Sequence, residues 1–400
     1  MIYKVTTTRK PTLTGIDAPR TAAYHTSCHF FPPPATGTVT VQRLHNFSAG
    51  PAVLPEPVLS AAREHLLSLG ETGIGVLEHS HRGSAFGEVL SSAEGRIRRL
   101  ASIPNDVAVL FLQGGASLQF AMVPANLRSA TATADYMISG TWSLKAMEAA
   151  QSDGAVHVAS SSQNSSFREL PGPPQCSATP AYLHYTSNNT IAGTQFSTPP
   201  TPPNGVPLVC DASSDIFSRP LDLDAHDLVY AGAQKNLGPA GLTLVLIRRT
   251  LLERCPDSIP RISRYVTHAD SGSLYNTPPV FSIFVTDLVL KWLEDQGGLS
   301  VIAERNRRQA SRLYDRIDAS RVLSGRVAFS ARSLMNVVFS AGSDEADARF
   351  LEHCRRAGLV GLKGHRSVGG LRASLYNAQP DAAVDRLLEV IDAFEAEQAQ

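Results

Sequence analysis

Six lysines occur in the 400-residue chain, and one of them has a setting unlike the rest. Lys235 follows the apolar run Leu228-Val-Tyr-Ala231 through Gly232-Ala-Gln234 and precedes Asn236-Leu-Gly-Pro-Ala-Gly241. An amine at the C-terminal end of a buried strand, hemmed by small residues, stands where open α/β sheets take ligands. Partial desolvation there lowers its pKa and makes it nucleophilic; the competing reading is an ordinary loop lysine. Lys145 and Lys291 fall in helical segments and read as solvated or snorkelling side chains. Asp211 closes a second apolar run, Leu208-Val-Cys210, 24 residues before Lys235. A carboxylate at that position either caps a loop or keeps a proton on a pyridine nitrogen, which makes the ring of pyridoxal phosphate an electron sink.

Three further features fit that second option. Gly114-Gly115-Ala116-Ser117 joins the strand-like Asp106–Leu112 to a helix, so its backbone N–H groups can face a phosphate. It does not match G-x-G-x-x-G, which disfavours a dinucleotide site. Trp142, one of two tryptophans, follows a strand in Ser139-Gly-Thr-Trp142 and either stacks on an aromatic ring or fills the core. His79-Ser-His81-Arg82-Gly83, Lys363-Gly-His365-Arg366 and Arg372 in Gly369-Gly370-Leu-Arg372 concentrate imidazole and guanidinium, the groups that bind carboxylate and phosphate. A doubly anionic substrate suits them. Together these residues have the layout of a fold-type I pyridoxal-phosphate enzyme.

The elements that must position them alternate. Ala134–Ser139, Tyr182–Tyr185, Pro207–Cys210, Asp227–Ala231 and Leu242–Ile247 read as strands, with helices after Ser117 and around Trp142. That alternation gives a mostly parallel sheet flanked by helices. A helix over Val58–Leu69 precedes them, Ser160–Pro180 and Pro199–Gly205 read as loops, and Phe284–Glu294 is a long helix. Beyond Gly297-Gly298 a basic helix, the strands Met335–Phe339 and Leu371–Tyr376 and the helices Ala346–Ala357 and Asp381–Glu397 form a second α/β set. The expected division is a large domain over 44–300 and a small one over 301–400. Residues 1–43 carry five bases, one acid (Asp17) and no periodicity. They read as a disordered extension, either transit-like or the product of a start placed too early, the true one lying at Val39 or Val41.

Lys+Arg and Asp+Glu number 36 each, which argues against a nucleic-acid or membrane-surface binder that works through a basic face. No apolar run approaches the length of a membrane span. Five scattered cysteines without a C-x-x-C pair give neither a disulfide framework nor a metal site, and point to a reducing compartment. That means the cytoplasm, or a plastid or mitochondrial matrix if the extension is a transit peptide.

At this point the chain resembles the phosphoserine aminotransferases, class-V members of fold type I. The resemblance rests on Asn46-Phe-Ser-Ala-Gly-Pro51, Ser80-His-Arg-Gly83, Gln113-Gly-Gly-Ala-Ser-Leu-Gln-Phe120, Tyr182-Leu-His-Tyr-Thr-Ser-Asn-Asn-Thr190 and Asp211-Ala-Ser-Ser214. It continues through Tyr230–Gly241, Tyr275-Asn-Thr-Pro-Pro279 and Lys363–Asn377. It implies a seven-stranded-type sheet in the large domain and a homodimer that shares its active sites. In that family Lys235 would carry pyridoxal phosphate covalently, Asp211 would pair with its ring nitrogen and Trp142 would stack on it. Ala116, Ser117, Thr190 and Gln234 would hold the cofactor, with Asn276 and Thr277 reaching its phosphate from the neighbouring subunit. Arg372, with Ser48 nearby, would anchor the α-carboxylate; His81, Arg82, His365 and Arg366 would take the substrate phosphate or the glutamate side-chain carboxylate. No metal is implied. The implied reaction is a reversible ping-pong exchange in which L-glutamate gives its amino group and 3-phosphohydroxypyruvate becomes O-phospho-L-serine. A phosphorylated hydroxythreonine of the pyridoxine route is a further substrate implied for bacterial members.

The chain departs from the family at Ala116-Ser117, where some relatives have Gly-Arg, and at Ser84-Ala85, where Lys-Glu is common. The alternatives are another fold-type I enzyme, such as a desulfurase or an alanine–glyoxylate aminotransferase, or a cofactor binder without turnover. A desulfurase needs a loop cysteine, whereas Cys354 falls in the predicted helix.

Overall fold

In the computed structural model, residues 43–398 are described; the extension, apart from Arg43, lies outside them. Seven strands form one sheet: Val107–Leu112 (β1), Thr133–Ile138 (β2), Val156–Ser161 (β3), Pro180–Thr186 (β4), Leu208–Asp211 (β5), Leu228–Gly232 (β6) and Thr243–Arg248 (β7). Their order is β1-β7-β6-β5-β4-β2-β3. All neighbours are parallel except β7, which is antiparallel to both β1 and β6. The strands read as near-continuous apolar runs because both faces are covered. In β1, Val107, Val109 and Phe111 enter one core cluster while Ala108, Leu110 and Leu112 enter the opposite one. The C-terminal ends of β1, β2, β4, β5 and β6 consequently share one edge, where backbone groups freed from the ladder face the ligand crevice.

The helices that cover the sheet include Glu56–Glu64 (α1), Ser84–Leu100 (α2), Gly115–Leu127 (α3), Thr141–Gln151 (α4) and Val280–Asp295 (α5). A second layer follows. Ser324–Gly325 (β8), Asn336–Ser340 (β9) and Leu371–Ser374 (β10) make a three-stranded antiparallel sheet. Gly298–Asp318 (α6), Asp344–Arg356 (α7) and Asp381–Gln398 (α8) pack on it around Phe339, Phe350, Leu387 and Phe394.

The structure corrects the sequence reading in three places. The first helix stops at Glu64, and the backbone turns back so that Val76 N–H bonds His65 O. The segment taken as a loop from Ser160 opens inside β3, an edge strand whose polar Val-His-Val-Ala-Ser-Ser sequence lacks the apolar run of its neighbours. The sequence reading marks no helix over 84–100, yet Phe86, Leu90, Ala93 and Ile97 bury one face of α2.

Asn46–Pro51 runs beside the second layer and then reaches the first. Phe47 N–H donates to Val360 O, Ser374 N–H donates to Phe47 O and Ala52 N–H donates to Gln234 O. Two glycines make the passage possible. At Gly50 (φ +150°) a Cβ would press on the Lys235 stem at 3.2 Å, and at Gly361 (φ +80°) it would lie 2.5 Å from the Ser48 nitrogen and hydroxyl. Gly361→Ala combines a strained φ with that overlap, so we expect a loss of about 1–3 kcal/mol in unfolding free energy by urea titration.

Candidate active site

Asp211 is the last residue of β5, opposite Thr186 on one neighbouring strand and Tyr230 on the other. The β6 end is tied to the turn after β5, because Gly232 N–H donates to Ser213 Oγ (3.1 Å) and Ser213 N–H donates to Asp211 Oδ1 (2.9 Å). Three residues beyond Gly232 comes Lys235, in a tight turn held by Gly238 N–H to Ala233 O. The next residue fixes that turn to both layers. Asn236 Nδ2 donates to Ile216 O, its Oδ1 accepts from Asn377 N–H, and Asn377 Oδ1 accepts from Asn306 Nδ2. All three asparagines are buried.

The Lys235 amine donates to Thr190 Oγ1 at 2.8 Å and lies 5.4 Å from the centre of the Trp142 ring. Burial lowers its pKa to about 8; the carboxylates of Asp211 and Asp215 oppose the shift, and Arg372 adds to it. The same desolvation raises Asp211, with Ser213 and Lys235 pulling it back. A buried carboxylate in that condition gains most from a cationic N–H partner. Thr190 has a second role, for its carbonyl accepts from Arg372 Nη1 (3.0 Å). Amine and guanidinium therefore meet on one residue. Arg372 Nε and Trp142 Nε1 are buried without a hydrogen-bond partner.

These features fit pyridoxal phosphate. The half-neutral amine can bond its aldehyde, Asp211 can hold the ring-nitrogen proton, and Trp142 offers a ring face. The start of α3, at Gly114–Ser117, offers free N–H groups to its phosphate; Gln113, Gly114 and Ser117 are exposed there. His365 and Arg366 sit on the loop before β10. The His365 imidazole is pushed down, first by burial and then by the positive charges of Arg372, Arg366 and Lys145. Among the described residues no ion pair neutralises Lys145, Arg366 or Arg372 at this edge.

Not every expected residue joins this set. Gln234 is half-buried and its carbonyl accepts from Ala52 N–H, so it is fixed beside the Asn46–Pro51 segment. Asn276 and Thr277 lie against the entrance to α3, where Gln113 Nε2 donates to Thr277 O (3.3 Å). His81 Nε2 is buried and unpartnered, while Arg82 is exposed. No hydrogen bond among the described residues ties His81, Arg82, Asn276 or Thr277 to Lys235, Asp211 or Arg372. Sequence reasoning missed two further contributors. Tyr376, whose hydroxyl donates to Ala49 O at 2.7 Å, stood unremarked inside the last motif. Lys145, read as solvated, lies 4.9 Å from the centre of the Trp142 ring.

The Aminotransferase class-V pattern matches residues 44–387. The chain belongs to the class-V aminotransferases. It is 48% identical over 359 residues to the phosphoserine aminotransferase of Herpetosiphon aurantiacus, a match that covers 89% of this chain and 99% of that one. Among solved structures, the phosphoserine aminotransferase of Bacillus circulans subsp. alkalophilus aligns with a TM-score of 0.88 at 45% identity, over 90% of this chain and all of that one. A pyridoxal-phosphate-bound phosphoserine aminotransferase from Trichomonas vaginalis aligns at 0.84 and 36% identity, over 88% and 100%.

In this class-V aminotransferase the lowered lysine pKa is directly measurable. In the apoprotein at pH 8, roughly half of the Lys235 amines should be neutral, against well under 1% for an ordinary lysine near 10.4. Pulse-labelling with an amine-selective acylating reagent across pH 6–11, read by peptide mass spectrometry, should give a midpoint near 8 at Lys235. A midpoint above 10 would refute the desolvated amine.

Proposed function

We propose that the chain is a phosphoserine aminotransferase, which moves the amino group of L-glutamate to 3-phosphohydroxypyruvate and releases 2-oxoglutarate and O-phospho-L-serine. One observation carries the reading: a desolvated lysine beside a buried carboxylate opens onto a crowd of cations left without carboxylate partners. A substrate with an anionic group at each end satisfies both ends of that arrangement. An apolar amino acid would leave His365, Arg366 and Arg372 facing one another. The related phosphorylated hydroxythreonine fits the same charges and is a secondary substrate of this proposal.

Pyridoxal phosphate, when bound, supplies a ring that takes up the electron pair left at the substrate α-carbon. Each residue then has a defined task. Lys235 would hold the group and, once free, would serve as the general base that moves the proton at the substrate α-carbon, a role for which a pKa near the working pH is best. Asp211 keeps the proton on the ring nitrogen. Thr190 positions the Lys235 amine through its hydroxyl and Arg372 through its carbonyl. Trp142 would offer the ring a face to stack on, Gln234 would help to hold it, and Ala116 and Ser117 would offer backbone N–H groups to its phosphate. Arg372, with Ser48 beside it, takes the α-carboxylate, and its unpartnered Nε is available for the second bond of a bidentate pair.

The proposal includes a homodimer. Leu66, Leu67, Ile74 and Leu77 are exposed on the segment that leads to His81 and Arg82, an apolar face of the kind that marks an interface. His81, Arg82, Asn276 and Thr277 have no bond to the chain's own Lys235 set, which supports their serving the active site of a second copy. The division near residue 300 belongs to the proposal too, supported by the separate core around β9 and β10. The thiols of Cys176, Cys210, Cys255 and Cys354 are free, which supports a cytoplasmic setting. No helix among the described residues is long and apolar enough to cross a membrane.

The visible absorbance band of the holoenzyme should bleach with glutamate and return with 3-phosphohydroxypyruvate. A band that neither compound shifts would discard the substrate assignment. Lys235→Ala should lower kcat by at least about a thousandfold. Co-expressing that chain with an Asn276→Ala/Thr277→Val chain should restore up to about a quarter of wild-type activity if sites are shared in a twofold dimer. No restoration would refute the sharing.

A further inference from the structure

Lys145 is one turn beyond Trp142 on α4, on the exposed face of that helix. An exposed helical lysine ordinarily extends into water or pairs with a carboxylate four residues away, as Lys291 does with Asp295. Among the described residues Lys145 has no such carboxylate partner. Its amine is folded onto the Trp142 ring, 4.9 Å from the ring centre, and the Lys235 amine stands 5.4 Å from the same centre. One indole thus holds two ammonium groups near it, one of them the reactive amine. Lys145 also adds to the positive field at His365, beside Arg366 and Arg372.

Two physical accounts compete. In the first, Lys145 is packing: a cation over an aromatic face stiffens Trp142 and does no more. In the second, its charge acts on the ligand. The charge count favours the second. Like charges brought close destabilise the fold, and a cation–π contact at an exposed site is a modest compensation. An arriving anion reverses the sign of all these terms at once. The contribution of a lysine here is a compact point charge on a long stem, suited to an anion that differs in shape between substrates, whereas the rigid fork of arginine fixes one geometry.

We infer that Lys145 is a substrate-binding cation that, from its place over the Trp142 ring and from the same chain as His365 and Arg366, attracts the distal anionic group of the phosphorylated substrate. This inference rests on the aminotransferase function proposed above and assigns one more residue to its specificity. A phosphate dianion feels the charge more strongly than a carboxylate, so Lys145 favours 3-phosphohydroxypyruvate over glutamate. It has little to offer a keto acid without a phosphate.

The test uses holoenzyme carrying Lys145→Met or Lys145→Arg, with 3-phosphohydroxypyruvate and hydroxypyruvate as paired acceptors. In Lys145→Met the KM for the phosphorylated acceptor should rise about fivefold or more, the effect of losing a partly exposed ion pair. Its kcat should stay within about twofold of wild type, and Lys145→Arg, which keeps the charge in a different geometry, should recover part of the KM loss. The KM for hydroxypyruvate should not move, and inhibition by inorganic phosphate should weaken in parallel. Equal changes for both acceptors, or a fall in kcat alone, would make Lys145 a packing residue and overturn the inference. An unchanged KM in Lys145→Met would overturn it too. A wild-type enzyme that ignores 3-phosphohydroxypyruvate would instead remove the proposed function, and the inference with it.

Discussion

An ammonium group withdrawn from water must either find an anion or give up its proton, and the arrangement around Lys235 is held between those outcomes. Its neighbours are a threonine hydroxyl at 2.8 Å and the buried Asp211. The hydroxyl accepts a hydrogen bond without neutralising the charge, and Asp211 opposes the shift without cancelling it, so the amine settles at about 8. The rest of the site depends on that balance. A carboxylate in direct contact would restore an ordinary lysine, and an apolar wall would leave an amine too weakly basic to take a proton.

Holding the balance demands precision from the backbone. Asp211 reaches its place because β5 ends there, and the Lys235 turn reaches its place because β6 ends one strand away; Ser213 joins the two ends. Both strands are buried on both faces, so neither can slip by one residue without turning apolar side chains into the wrong layer. The sheet thus fixes the separation of acid and amine by packing, and the local hydrogen bonds only refine it. The gathered cations are the cost of this design, since they repel one another until a doubly anionic ligand arrives.

The strands and the Lys235–Asp211 pair could be read from the sequence because each is a local signal: an apolar run that ends at Asp211, and another that leads through Gly232-Ala-Gln234 to Lys235. Other features could not. The β3 strand hides because an edge strand needs no continuous apolar run, and α2 hides because Gly87, Gly95 and a serine pair dilute a periodicity that is present at Phe86, Leu90, Ala93 and Ile97. The contact of Lys145 with Trp142 could not be read, because its helical setting is indistinguishable from that of Lys291. The roles assigned to His81, Arg82, Asn276 and Thr277 came through family resemblance, since their spacing carries no information about which copy of the chain they serve.

The buried asparagine chain through Asn306, Asn377 and Asn236 has a consequence for how the enzyme tells substrates apart. It fastens the lysine turn to the layer that carries Arg372, so the interval between the Lys235 amine and the Arg372 guanidinium is set by the fold before any ligand enters. The protein therefore works like a gauge with one jaw locked. Under the proposed assignment every substrate is registered at its α-carbon and α-carboxylate, and differences in length or charge are felt only at the far jaw. In that proposal the far jaw is a loop and its long side chains, His365 and Arg366, with Lys145 beside them. A change of preference between a five-carbon dicarboxylate and a phosphorylated three-carbon acid would come from that end, with the chemistry at the locked end left untouched.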